Sequence, residues 1–407
     1  VGTGVAVQVT DARSAARPPG WALFGYGFRP FFLLAALYAP TAVAAWLLVL
    51  MGVLPDQAYM GGPLLHGHEM VFGFALAGVL GFLTTALPNF AGATPLTGRP
   101  LALLAAVWLL GRLALWAADW LPPALVAAAD LALVPLALVL LLRSLPRHPD
   151  RRMLLFPALL AIFAVANGLA HAESLGWTAD TGIVGVTLGI NLIALLVAII
   201  GGRIIPSFTA NALRAAGSPL LPRSFRALDA TAIGATAAVA VAMLAVGDGP
   251  MVGAVALLAG LANAARLSLW RGAQTVRSPI LIVLHVGYGW LAAAHLLRAA
   301  AELGGFLPAS AALHALTIGC FGTMMLAVMS RAALGHTGRA IRAHPLTVAA
   351  YALVAAAALF RLAAALLPDL QMALLSAAAV GWIAAFALFV VIYAPILLSP
   401  RMDGKPG

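Results

Sequence analysis

The chain has 407 residues, 63% of them hydrophobic and only 9% charged, with a mean hydropathy of +1.03. That composition excludes a soluble globular domain and predicts a protein that crosses a membrane many times. The formal charge of +10 does not point to nucleic acid, because the arginines sit in short loops between apolar runs, where they report topology.

In chain order, residues 1–29 come first, a largely polar stretch with Arg13, Arg17 and Arg29 and without the apolar core of a cleavable signal peptide. It reads as a cytoplasmic tail. Twelve apolar runs follow at about 30–53, 67–90, 100–119, 123–143, 153–175, 181–205, 228–246, 251–270, 279–301, 309–334, 346–367 and 371–397. Each is near the roughly 20 residues that cross about 30 Å of hydrocarbon, and long runs without alternation suit helices, not barrel strands. The expected fold class is an all-α integral membrane protein, one twelve-helix domain over 30–397 with a second tail at 398–407. Loop charges alternate. Arg99, Arg143, Arg147, Arg151, Arg152, Arg214, Arg223, Arg226, Arg271, Arg277, Arg339, Arg342, Arg401 and Lys405 fall on one side; Asp56, Asp119, Glu173, Asp180, Asp248, Glu302 and Asp369 fall on the other. The positive-inside rule then places both termini in the cytoplasm.

A sequence block recurs at the ends of the second, sixth and tenth runs: Ala86–Gly92 (ALPNFAG), Ile204–Ala210 (IIPSFTA) and Ala332–Gly338 (AALGHTG). It predicts three pseudo-repeated four-helix units, at about 30–143, 153–270 and 279–397. Carried back without gaps, the same register sets His68 against His314 and Gly73 against Gly319. Asn89, Thr209, Asn211 and Thr337 in and beside the blocks read as helix caps.

Orientation turns the histidines into a layer. His66 and His68 open the second run, His171 closes the fifth, His295 lies near the end of the ninth and His314 begins the tenth, all in the expected outer leaflet. Imidazole is the commonest biological ligand of haem iron, copper and zinc, and ionisable groups inside a membrane suggest function. On a helix His66 and His68 point to nearly opposite sides, so they do not share one iron. The repeat makes His68 and His314 the expected facing axial ligands of a haem, leaving His66, His171 and His295 for a second site suited to copper. The one cysteine, Cys320, lies in an apolar run and forms no C-x-x-C-H motif, so any haem is held non-covalently.

Arg112 and Arg361 are near-equivalent in the repeat, each about 10 Å from the outer end of its run. Haem propionates are one expected partner; backbone carbonyls or outward snorkelling is the other. Glu69 either orients a histidine or accepts a proton. His285, about 15 Å along its helix from His295, is read as a ligand of another centre, a proton-relay member with Tyr288, or a helix–helix hydrogen bond. His336 reads as a structural cap, and His148 and His344 as solvated.

Seven motifs together resemble the NnrS family: GFRPFF at Gly27–Phe32, HGHEM at His66–Met70, PNFAG at Pro88–Gly92, GGRIIPSFTANALR at Gly201–Arg214, HVGYGW at His285–Trp290, LHALTIG at Leu313–Gly319 and SRAALGHTGR at Ser330–Arg339. Leu65, where the family commonly has Trp, departs from the pattern. The resemblance implies a bacterial cytoplasmic-membrane protein containing haem b and copper that responds to nitric oxide and nitrosative stress, with an electron donor the sequence does not identify. Scavenging or turnover of nitric oxide is the first expectation. A non-catalytic haem or metal sensor and a secondary transporter are the alternatives; the latter fits twelve spans and repeats but not polar groups gathered at one leaflet.

Overall fold

A computed structural model describes residues 22–148 and 150–404. Arg13, Arg17 and Lys405 lie outside the described residues, as do the side chains of Asn89, Arg151 and Arg152. The chain is 80% helix with no strand among the described residues. Twelve helices are long and apolar enough to cross a membrane. They are α1 (Phe28–Leu50), α2 (Gly62–Pro88), α3 (Arg99–Trp116), α4 (Pro123–Ser144), α5 (Leu155–Ser174), α6 (Thr181–Ala215), α7 (Arg226–Val246), α8 (Pro250–Ser268), α9 (Pro279–Gly304), α10 (Ala309–His336), α11 (Pro345–Leu366) and α12 (Pro368–Leu398). The count matches the sequence expectation.

Local chemistry sets the boundaries. Proline stands in the first turn of α2, α3, α4, α8, α9 and α11, where its missing N–H costs nothing. Gly305 closes α9 in the left-handed conformation, at φ 67°. Inside α4 the helix breaks between Leu131 and Leu133. Pro135 explains this, since it cannot donate to the carbonyl four residues earlier. The break falls beside Asp130.

The sequence blocks mark α2, α6 and α10, and these helices line a common apolar cavity of about 80 Å³ through residues such as Gly78, Leu196, Ile200, Phe321 and Met325. Each also contains a π-helical segment: Glu69–Ala75 in α2, Val197–Gly201 in α6 and Ala315–Gly322 in α10. Those in α2 and α10 start at the residues after His68 and His314, matching the register of the repeat. A π segment loosens the backbone ladder, and neighbouring side chains take up the freed carbonyls. The Trp108 indole donates to the Gly73 carbonyl at 2.9 Å, and Arg266 donates to that of Ala198 at 2.9 Å. Gly73 is required here, because a Cβ would lie 2.6 Å from the Tyr38 ring and 2.8 Å from Arg112.

The first and last helices pack together, and buried Arg29 of α1 donates to the Leu397 and Ser399 carbonyls at 2.8 and 2.7 Å. His336 sits against Tyr26 and Phe28, and its carbonyl accepts from Arg401, so it joins the chain ends at this face. Of the expected caps, Thr337 donates back to the Ala333 carbonyl at 2.6 Å and Asn211 accepts from Arg214 at 3.1 Å. Thr209 lies within α6 and instead bonds His285.

A buried histidine–carboxylate centre

Near the bundle end that carries loops 51–61, 117–122 and 175–180, four consecutive helices place polar side chains in one apolar interior. His68 and Glu69 come from α2, Arg112 from α3, Asp130 from α4, and Asn167 and His171 from α5; all six are buried. Asn167 and His171 are four residues apart and so share a helix face. Close approach of α3 to α4 depends on Gly111, whose added Cβ would lie 3.1 Å from the Asp130 Cα and 2.9 Å from its Oδ1.

Arg112 is the hinge of the network. It donates to Glu69 through one terminal nitrogen and to Asp130 through the other. Glu69 also accepts from the Tyr38 hydroxyl, which itself accepts from the Trp116 indole at 2.9 Å. Asp130 Oδ2 accepts from Asn167 Nδ2 at 2.8 Å and from His171 Nε2 at 2.9 Å. Tyr59, in the loop before α2, bonds His171 Nδ1 at 2.7 Å. Burial pushes the Tyr59 hydroxyl up to about 12, so it keeps its proton at neutral pH.

His68 is the residue whose bonds do not balance. Its Nδ1 faces the Glu69 carboxylate at 2.9 Å, and its Nε2 faces the Asn167 carbonyl oxygen at 2.7 Å and Asp130 Oδ2 at 3.4 Å. All three are acceptors, and a neutral imidazole has one proton. Turning the Asn167 amide over moves the conflict onto Asp130. Formal charge agrees: two carboxylates face one guanidinium, leaving one negative charge over. The imbalance calls for one further positive charge in the cluster, which a proton on His68 or on a carboxylate, or a metal ion at Nε2, would supply.

The donor set fits a metal. One ligand atom from each of His68, Asp130 and His171 lies within 4.8 Å of the others. The two Nε2 atoms approach Asp130 Oδ2 at 3.4 and 2.9 Å. Around an ion with bonds of about 2.0–2.1 Å, neighbouring ligand atoms stand about 2.9–3.4 Å apart. The remaining imidazole nitrogens are held by Glu69 and Tyr59, the outer partners that fix tautomer and orientation in metal sites.

The other expected residues separate into two places. His66, stacked on Trp46 at 5.0 Å, lies within electrostatic reach of His314 and Arg361, and its buried Nδ1 has no hydrogen-bond partner among the described residues. Thus the structure groups His68 with His171, and His66 with His314. His295 stands apart on α9, with Nδ1 bonded to the Leu291 carbonyl at 2.8 Å. Arg112 pairs with Glu69 and Asp130, so its anions come from the protein itself, a pairing that was not among the partners expected from sequence.

His285 and Tyr288 lie toward the opposite end. His285 Nε2 bonds Thr209 at 2.9 Å and ties α9 to α6. Tyr288 donates to Asn263 at 2.5 Å and accepts from Arg266 at 2.7 Å, while Arg266 pairs with Asp229 at 2.7 Å. His344 Nδ1 accepts from the Leu346 N–H and caps α11.

Sequence reasoning missed Asp130, Asn167, Tyr59 and Tyr38. Asp130 was legible, being an acid inside an apolar run. Asn167 had its four-residue spacing from His171. The tyrosines carried no signal.

Fold and centre define a class: a multi-pass α-helical membrane protein with a histidine–carboxylate cluster buried among its helices. Within that class the chain belongs to the NnrS family, since the family model described as NnrS protein matches residues 22–401, nearly the whole length. Comparison with curated proteins gives no match.

Proposed function

We propose that this protein binds nitric oxide at a copper ion held by His68, Asp130 and His171, in the bacterial cytoplasmic membrane, as part of a nitrosative-stress response. Family membership supports the link to nitric oxide. The observation that carries the metal is the convergence of the His68 and His171 Nε2 atoms on one oxygen of Asp130, at 3.4 and 2.9 Å. Two imidazoles and a carboxylate suit copper(II), and three protein donors leave a position open for a small ligand. Bound copper supplies a Lewis-acidic coordination position for nitric oxide.

The chain's own residues do the rest. Arg112 compensates one carboxylate charge and holds Glu69 and Asp130 in place. Glu69 orients His68, and Tyr59 orients His171. Apolar packing around the cluster excludes water, while nitric oxide, small and uncharged, reaches the site through the bilayer. Two termini on the cytoplasmic side and three four-helix units complete the reading, supported by loop charge and by the π segments that share the repeat register.

The test is metal analysis of purified protein, followed by anaerobic titration with nitric oxide monitored by electron paramagnetic resonance. Near-stoichiometric copper whose signal changes on titration, and is lost in His171→Ala, is expected. Protein that takes up no transition metal, with a fold unchanged by chelation, overturns the reading. Anaerobic consumption of nitric oxide in the presence of a reductant separates turnover from binding alone.

A further inference from the structure

A large groove lies away from this centre. It has a volume of about 520 Å³ and runs between α6, α7, α9 and α10, at the bundle end where loops 247–249 and 305–308 emerge. Its walls are mainly apolar, with Ile183, Ile190, Val239, Leu313 and Leu316 among them. That size is typical of a pocket for an organic cofactor.

One strong donor lines it. His295 is buried, and its Nδ1 is tied to the Leu291 carbonyl at 2.8 Å. That bond places the imidazole proton on Nδ1 and leaves Nε2 as a lone pair, with no partner among the described residues. Open to the groove, that lone pair meets mainly apolar walls and finds no donor among the described residues. Lipid chains would fill the volume and leave the nitrogen unsatisfied. A bare ion needs three or more donors, and the groove offers one imidazole.

The occupant that meets both conditions is a metal that brings its own equatorial ligands inside a large apolar plane. We propose that this groove is the haem site of the protein, with His295 as an axial ligand through Nε2. The assignment rests on the reading of the chain as a metal-containing NnrS protein, and it separates the two cofactors: copper at His68, Asp130 and His171, haem at His295. The rim suits a haem's acidic edge. Arg298, also in the groove, is held by Glu302 through Nε at 2.9 Å and pairs through a terminal nitrogen with Asp248, whose 64% exposed side chain is the partner a ligand carboxylate would replace.

The experiment uses full-length protein purified from haem-replete cells, compared with His295→Ala and with Thr187→Trp, which places bulk in the groove and leaves the imidazole itself unaltered. Haem is quantified as the pyridine haemochromogen, optical and electron paramagnetic resonance spectra report axial ligation, and copper is measured on the same samples. Wild type is expected to hold haem. His295→Ala should lose at least about 80% of it, or retain it with a changed spectrum that added imidazole restores; Thr187→Trp should exclude it. Copper should stay unchanged in both variants, which also reports that they fold. Wild type that holds copper but no haem, with lipid alone in the groove, overturns the assignment and leaves the copper reading standing. Full haem with an unaltered spectrum in His295→Ala overturns it too. Haem retained in wild type without copper would sink the copper reading and leave this one.

Discussion

Asp130→Asn is the sharpest perturbation of the buried centre. Asp130 receives Arg112 on one oxygen and Asn167 and His171 on the other, so it both neutralises a buried guanidinium and supplies the point on which two imidazoles converge. Asparagine keeps the shape, removes the charge, and turns one acceptor into a donor facing other donors. Breaking a buried charge pair by removing one partner costs about 3–5 kcal/mol. At about 1.4 kcal/mol per decade, the same loss at a metal corresponds to a weakening of roughly 100- to 3,000-fold. The assay is copper affinity by competition with a calibrated chelator, alongside thermal unfolding in detergent. Copper held with wild-type affinity in a variant of wild-type stability would refute both the ligand assignment and the charge count behind it.

Other outcomes follow from the same geometry. Glu69→Gln and Tyr59→Phe, which remove the outer partners of His68 and His171, should each weaken metal binding by about 10- to 100-fold while leaving some bound, a graded loss that chelator competition resolves. Gly111→Ala should push α4 from α3, because its Cβ meets the Asp130 backbone, and should lower both thermal stability and metal content. Arg266→Met, at the opposite end, leaves the Ala198 carbonyl without this donor and frees the partly exposed Asp229; it should destabilise the protein by about 1–3 kcal/mol with metal stoichiometry unchanged in the folded fraction.

Much of the architecture was legible before any coordinates. Length and hydropathy fix helices because a backbone in lipid must bond to itself, and twelve runs give twelve spans. The recurring block marked α2, α6 and α10, the helices that share the small apolar cavity. Its register set His68 against His314, and the structure starts a π segment just after each of them, a feature the sequence reading did not foresee. The opposed faces of His66 and His68 were also readable from helical geometry, and the structure sends these two residues to different neighbours.

Partnership was decided only in three dimensions. Repeat equivalence says that His68 and His314 occupy similar places in their own units; whether two such residues meet depends on how the units rotate and pack. Here His68 turns toward α3, α4 and α5 and meets His171 across Asp130, while His314 bonds the Ser310 carbonyl of its own helix and lies within electrostatic reach of His66 and Arg361. The sequence by itself determined the membrane fold, the span count and the band of histidines near one end. Tertiary structure alone decided which imidazole faces which carboxylate, because the Pro135 break, the glycine contact at Gly111 and the π segment after His68 set distances between helices that no spacing along one helix can encode.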